Sequence, residues 1–398
     1  MPDAILVLNA GSSSIKLAVF AVPTTEPALL CSGLLDEQDA SHRLTIHDAS
    51  GRKLFDAQRP ADDGGRGLYP EILHWIETYL SGGRLLAVGH RIVHGGRDFF
   101  EPVDVTAEIL EALAALTPLA PLHQPVCLAP IRAIAALRPG LPQIACFDTA
   151  FHHHLALPVS CFAIPRRFEG QGVRRYGFHG LSFEYIAGRL GEVSKALPGK
   201  RTVVAHLGNG ASLCAMRDGR SVDTTMGLTP LDGLVMGTRC GAIDPGVLLY
   251  LQQEHKLSVA ELQDLLYLQS GLLGVSGLSA DMRVLLQSGS AAAREAIELF
   301  TFRAAREIVA MANTLQGLEC LVFTGGIGQH SSDIRRQICA RLHWLGLRLD
   351  QAANEAGAQS IHAEGSRVDI LMLPTSEETS IARHCRARLS ARPAVQST

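Results

Sequence analysis

Several absences bound this sequence before any of its motifs do. No G-x-x-x-x-G-K-[ST] segment occurs, so a P-loop is excluded as the means of holding a phosphate. No C-x-x-C pair occurs either: the 9 cysteines are scattered, which argues against a disulfide framework and for buried thiols in a reducing compartment. The net charge is only −3 and the charges are interspersed, so no basic field exists to draw nucleic acid or a membrane surface. No uncharged apolar run approaches the length of a bilayer span. Met1-Pro2-Asp3-Ala4 leads straight into an apolar run, without a signal-peptide pattern. The expectation is a soluble, cytoplasmic protein with neither nucleic-acid nor membrane partners, long enough at 398 residues for two domains.

What is present is a pattern that occurs twice. Val203 to Ala205 is apolar, His206-Leu207-Gly208-Asn209-Gly210 is a turn, and Ala211 to Met216 is apolar again, which reads as strand, glycine turn, strand. Near the start, Ile5 to Leu8, then Asn9-Ala10-Gly11-Ser12-Ser13-Ser14, then the alternating Ile15 to Phe20 repeat that pattern. Glycines at such a turn let backbone N–H groups approach an anion, and Asn209 and Ser212 add small polar groups. An ordinary hairpin with a polar tip fits the single loop equally well; the duplication favours phosphate. Asp223-Thr224-Thr225, Pro230 and Gly237-Thr238-Arg239 follow, adding a carboxylate, hydroxyls and a guanidinium fork. In layout the chain resembles the actin-like ATPase and sugar kinase superfamily. The resemblance implies an α/β fold of two related actin-like ATPase (ribonuclease H-like) domains with a nucleotide cleft between them. Residues 1–150, completed by a C-terminal helix within 376–398, would form the first domain, and residues 151–375, carrying the nucleotide pocket, the second.

A closer resemblance rests on NAGSSSIK (Asn9 to Lys16), GHRIVHGG (Gly89 to Gly96), FDTAFH (Phe147 to His152), RRYGFHG (Arg174 to Gly180), HLGNGAS (His206 to Ser212), SVDTTMGLTPLDGLVMGTR (Ser221 to Arg239), DMR (Asp281 to Arg283), FTGGIG (Phe323 to Gly328) and PTSEE (Pro374 to Glu378). In this set and order the chain resembles the acetate kinase family. The resemblance implies transfer of the ATP γ-phosphoryl group to acetate, with propionate or another short-chain fatty acid as the alternative acceptor and a non-catalytic nucleotide-dependent switch on the same fold as the more remote reading. It implies ATP/ADP as co-substrate, Mg²⁺ or Mn²⁺ as cofactor, and a homodimer. It implies that Arg91 grips the substrate carboxylate, that Val93, Leu122, Phe178 and Pro230 line a small apolar pocket, and that His179 and Arg239 stabilise the transferring phosphoryl group. For the nucleotide it implies Ser12 and Lys16, the turn His206, Leu207, Gly208, Asn209 and Gly210, then Asp281, Met282 and Arg283, and Gly326, Ile327, Gly328, Gln329 and His330. For the metal it implies Asn9 and Glu377. It also implies proton transfer at Asp148. A carboxylic acid with a pKa of about 4 to 5 is ionised at neutral pH, however, so Asp148 is read as orienting Mg²⁺ or its waters.

Local patterns complete the expectation. Leu68 to Ser81, Glu108 to Leu116 and Ala291 to Leu318 read as helices, the last from apolar residues at Ile297, Phe300, Ala304, Ile308, Met311 and Leu315. Leu85 to Gly89 reads as a strand that delivers His90 to Gly96 to a loop, and Leu141 to Phe147 as a strand ending at Asp148. Cys31 to Arg66 would extend the first sheet. Gly325 to Gly328 reads as a glycine turn, and Pro118 to Pro125 as a rigid loop in which His123 is either catalytic or structural. Adjacent His152, His153 and His154 splay apart and cannot converge on one ion. Thr375 and Glu378 have capping-box spacing, which leaves Glu377 without a structural explanation. Against the family's usual pattern the chain has Gln124 for Asn, Leu181-Ser182-Phe183 for Thr-Ser-His, Cys240-Gly241-Ala242 for Ser-Gly-Asp, and Gln329-His330 for Glu-Asn.

Overall fold

The computed structural model describes residues 2–11, 14–22, 26–36, 41–60 and 68–391. Contacts divide the chain into two units, Met1–Ala150 with Ser376–Thr398, and Phe151–Thr375. Ser12, expected at the nucleotide, lies outside the described residues, as do 37–40 and 61–66 of the expected sheet extension.

The first unit is built on β1 (Ala4–Ala10), β2 (Ser14–Ala21), β3 (Ala28–Asp36), β4 (Ser41–Asp48), β5 (Lys53–Pro60), β6 (Leu85–Ile92), β7 (Val103–Asp104) and β8 (Gln143–Phe147). Their order is β5-β4-β3-β2-β1-β6-β8-β7. The two hydrophobic runs around the Gly/Ser turn pair antiparallel, Asn9 opposite Lys16. β1 then pairs parallel with β6, and β6 with β8. Helix Leu68–Leu80 buries Ile72, Leu73, Ile76 and Leu80 against Leu6, Leu8, Leu17 and Val88. Helix Glu377–Ser390 lies against β1 and β6. A Cβ on Gly89 would stand 2.5 Å from Ile381 Cγ2 and Cys385 Sγ of that helix, so only glycine fits there. β6 runs three residues beyond the expected end because Arg91 and Ile92 pair with Cys146 and Phe147. Arg91 is therefore held by a central strand and not by a loop.

The second unit repeats the scheme with β9 (Thr202–Leu207), β10 (Ala211–Arg217), β11 (Arg220–Thr224), β12 (Cys320–Thr324) and β13 (Asp369–Met372), in the order β11-β10-β9-β12-β13. β9 and β10 form the antiparallel hairpin, and β12 and β13 continue in parallel. Helix Ala291–Leu315 buries all six apolar positions predicted for it. It stops three residues early because Gln316 takes a left-handed conformation, φ 59°. Gly325–His330 is a short helix rather than a glycine turn. Gly325 at its start needs φ 77°, and a Cβ there would lie 2.7 Å from the Leu207 carbonyl oxygen.

Candidate active site

In the first unit the end of the β1–β2 hairpin gathers acid groups and one base. Asn9, nearly buried, donates from Nδ2 to Glu377 Oε2 at 2.9 Å and to Glu378 Oε1 at 2.8 Å. The expected capping box is thereby overturned. Ser376 caps the helix by accepting from the Thr379 N–H, and Glu378 faces Asn9. Arg91 donates from Nε and Nη2 to Asp148 at 3.0 and 2.5 Å, and from Nη1 to the Ala10 carbonyl at 3.2 Å. Glu377 stands 3.9 Å from Arg91 Nε. Burial pushes the Asp148 carboxyl up to about 6, although Arg91 pulls it down. For Arg91 burial opposes the charge, but Asp148 and Glu377 outweigh it and hold the guanidinium above its ordinary value. At neutral pH both members of the pair are ionised.

Gln124 accounts for its departure from the family pattern. Fully buried, it accepts from the His94 N–H and donates to the carbonyls of His94 and Leu113, clamping the backbone just after Arg91. Val93 is buried and Leu122 partly exposed. His123 immediately precedes the helix Gln124–Leu137. Lys16 lines a groove of about 540 Å³ together with Ser376, Glu378 and Thr379.

In the second unit the glycine turn between β9 and β10 is faced by two imidazoles and a guanidinium. The rings of His179 and His206 stack at 4.4 Å. A Cβ at Gly210 would stand 3.1 Å from His179 Nε2 and 3.8 Å from Arg239 Nη1, and one at Gly208 would stand 3.9 Å from His206 Nε2. His179 Nδ1 meets Ser212 Oγ at 2.8 Å, and His206 Nδ1 meets Ser182 Oγ at 2.8 Å. Arg239 donates from Nη1 to the Pro230 carbonyl at 3.1 Å. The Asn209 carbonyl accepts from the Gly237 N–H. His179 itself has φ 58°, a conformation few side chains tolerate, at the head of helix Gly180–Val193. Phe183, where the family has histidine, is buried and turns its edge to His152 at 5.5 Å. His152 is committed to Ser221 and to the Phe178 carbonyl, and burial lowers its pKa to about 4.

The remaining nucleotide candidates divide. Gly326, Ile327 and Gly328 sit in the short helix after β12, whose first glycine abuts Leu207. Sequence reading missed what holds that helix. Arg335, 1% exposed, donates to the carbonyls of Gly328, Gln329 and Asn354 and to Asn354 Oδ1. An arginine beside the apolar Ile334 and Ile338 was the available signal. Asp281 caps helix Met282–Ser288, and Arg283, largely exposed, pairs with it.

Among the described residues no group of three or more His, Cys, Asp or Glu side chains is set to hold a metal. Mg²⁺ asks for less, often one or two carboxylates with water and phosphate oxygens completing the shell. The hard oxygen donors Glu377, Glu378 and Asp148 fit that demand.

Two mixed α/β sheets of one topology, with polar and charged groups gathered near their matching hairpins, and the likeness to solved kinases of this architecture define a phosphotransferase of the two-domain actin-like class. Residues 4–383 match the acetokinase family, and the chain belongs to it. It is 52% identical over 389 residues to an acetate kinase of Rhodopseudomonas palustris, covering 96% of this chain and 98% of that one. Among solved structures it is similar to a propionate kinase from Francisella tularensis, with TM-score 0.89, 36% identity and 96% and 98% of the two chains covered. It is likewise similar to an acetate kinase from Porphyromonas gingivalis, with TM-score 0.84, 34% identity and 97% and 100% covered. The acceptor of this family is a carboxylate, and no described helix is long and apolar enough to cross a membrane.

Proposed function

We propose that this protein is an acetate kinase, transferring the γ-phosphoryl group of ATP directly and reversibly to acetate. A carboxylate oxygen attacks the γ-phosphorus, the bond to the β,γ-bridging oxygen breaks, and acetyl phosphate and ADP result. No proton moves, because the attacking carboxylate is already ionised. The observation that carries the reading is the cluster at Gly208–Gly210, where His179, His206 and Arg239 lie within 4 Å of the positions a side chain would take on the two glycines. Charge in such a transfer spreads over the equatorial phosphoryl oxygens, and these donors are of the kind that stabilises it.

Arg91, fixed by Asp148 and Ala10, has N–H donors beyond those three bonds to offer an acetate carboxylate. Asp148, paired with Arg91 and largely ionised at neutral pH, is proposed to hold that guanidinium and to orient Mg²⁺ or its waters. Val93 and Leu122 are assigned to the methyl group, and by the same reading so are Phe178 and Pro230 of the second unit. Asn9, Glu377 and Glu378 would hold Mg²⁺ or Mn²⁺, which supplies charge neutralisation at the phosphate oxygens. Lys16, Asp281 to Arg283 and Gly326 to His330 are assigned to the nucleotide. Residues 1–150 with 376–398 and residues 151–375 are proposed as the working domains. All nine cysteines are thiols, which accords with a cytoplasmic setting. A homodimer is proposed through helix Pro245–Gln253, which buries no residue and exposes Leu249 and Tyr250 by more than half; light scattering at two concentrations tests it.

The deciding experiment traps acyl phosphate as hydroxamate with MgATP and acetate, propionate or butyrate. The highest kcat/KM is expected for acetate. A lead for propionate would move the assignment to the function named for the Francisella relative, and absence of product with every acid would reject the activity.

A further inference from the structure

The two imidazoles at the glycine turn are alike in one respect that the reaction does not by itself require. Each has Nδ1 on a serine hydroxyl, Ser212 for His179 and Ser182 for His206, both at 2.8 Å. Both serines are fully buried. Ser182 does not end its chain, since its oxygen lies 2.8 Å from Thr375 Oγ1, 193 residues away in sequence. A neutral imidazole carries its proton on one nitrogen only, and the bond made by the other nitrogen decides which. A serine O–H that donates to Nδ1 leaves the proton on Nε2. His179 Nε2 is the atom nearest a Cβ placed at Gly210, at 3.1 Å, and His206 Nε2 lies 3.9 Å from one placed at Gly208, beyond the Gly210 carbonyl oxygen and the Gly326 N–H.

We propose that Ser212, and Ser182 set by Thr375, are positioning residues that hold His179 and His206 as paired Nε2–H tautomers, giving two parallel N–H donors for one phosphoryl group. The inference rests on the assignment of this turn to phosphate. The two rings stack 4.4 Å apart at 18° between planes, and each Nε2 lies within 4 Å of a Cβ placed on a glycine of the same turn, which is the ground for assigning one tetrahedral anion to both. With Nε2 as the donor to phosphate, a neutral imidazole fixes the direction of the relay. Thr375 donates to Ser182, Ser182 donates to His206 Nδ1, and His206 donates onward from Nε2; reversing any one bond would present a lone pair to an anion. Phe183 in place of the family's usual histidine supports the same end. Its ring centroid lies 6.3 Å from that of His206, nearly perpendicular to it, where an imidazole would offer a second partner able to exchange its proton.

The test uses the full chain with ¹⁵N-labelled histidine, whose multiple-bond ¹H–¹⁵N correlations distinguish the two tautomers. Without substrate, wild-type His179 and His206 should both give the Nε2–H pattern. Thr375→Val and Ser182→Ala should each mix the tautomers of His206 alone, and Ser212→Ala those of His179 alone. kcat should fall about ten- to hundredfold, as it does when partners behind a reacting group are removed, with the KM for the carboxylate unchanged. Thr375→Ser, which keeps the hydroxyl, should restore both readouts. An Nδ1–H pattern in the wild type overturns the proposal, as does a Thr375→Val protein with unaltered tautomer and kcat. The spectra need no turnover, so a chain that made no acyl phosphate would sink the proposed activity while the tautomers were still decided.

Discussion

The hairpins β1–β2 and β9–β10 occupy the same place in two sheets of one topology, yet the groups gathered near them are held by opposite means. In the first unit every one of these bonds has a charged member: Arg91 is locked by Asp148 with Glu377 close by, and the Asn9 amide bridges the carboxylates of Glu377 and Glu378. In the second, neutral groups do the holding. Hydroxyls orient His179 and His206, and carbonyls anchor Arg239 and Arg335. A buried ion pair fails abruptly when one member is lost, whereas a relay of neutral hydrogen bonds weakens by steps. The repeated fold therefore carries one half that is rigidly committed and another that can be tuned.

The largest effect expected is one the two units share, and it would blur the contrast. Each buries a neutral histidine, His90 in the first and His152 in the second, with burial lowering both pKa values to about 4. The unfolded chain, with histidine near 6.5, then binds more protons than the folded one. Stability is full above pH 6.5 and is lost as pH falls towards 4, by about 3 kcal/mol per histidine at most. Asp148, raised to about 6, takes up its proton first in the folded chain and offsets part of the loss below pH 6. Urea titrations between pH 7 and 4.5 should still show a net fall, and a flat profile would mean that these two rings are not both held neutral.

Removing Arg91 is the next test, and it bears on the first unit alone. Arg91→Ala strands the carboxylates of Asp148 and Glu377 and should cost about 3–5 kcal/mol of stability along with carboxylate binding. A loss below about 1 kcal/mol, within the range of exposed pairs, would erase the distinction between the units. In the second unit, His179→Asn should leave stability nearly unchanged, because asparagine tolerates positive φ, while kcat falls about 10²- to 10³-fold. Equal damage to stability would mean that this imidazole is a structural post. Smallest is the discrimination of acetate from propionate. One methylene is worth about 1–3 kcal/mol, so kcat/KM should differ by roughly 10- to 200-fold. A ratio near one would mean that Val93 and Leu122 do not bound the acyl chain.

Much of this fold was legible in the sequence because its signals are local. A hydrophobic run broken by small polar residues gives each hairpin, and 3.6-residue spacing marks helix Ala291–Leu315. What escaped depends on partners far along the chain. β6 continues through Arg91 because β8 lies beside it, and Gly325 opens a helix because Leu207 blocks any side chain there. Thr375 has the spacing of a cap but its hydroxyl pairs with that of Ser182, and Ser376 caps instead. The residue types at the candidate site stand out in the motifs. The hydroxyls and carbonyls that orient them do not, since serine and arginine in a helix look the same whether they face water or a ring.

Gly89 packs against Ile381 and Cys385, and this sets an order of events during synthesis. The central strand of the first unit is made early, but the helix that covers it emerges only after the whole of Phe151–Thr375. At about 5–20 residues per second the wait lasts on the order of ten seconds to most of a minute. The nascent amino-terminal sheet must meanwhile keep an apolar face open, and it becomes a finished body only once that helix has been made.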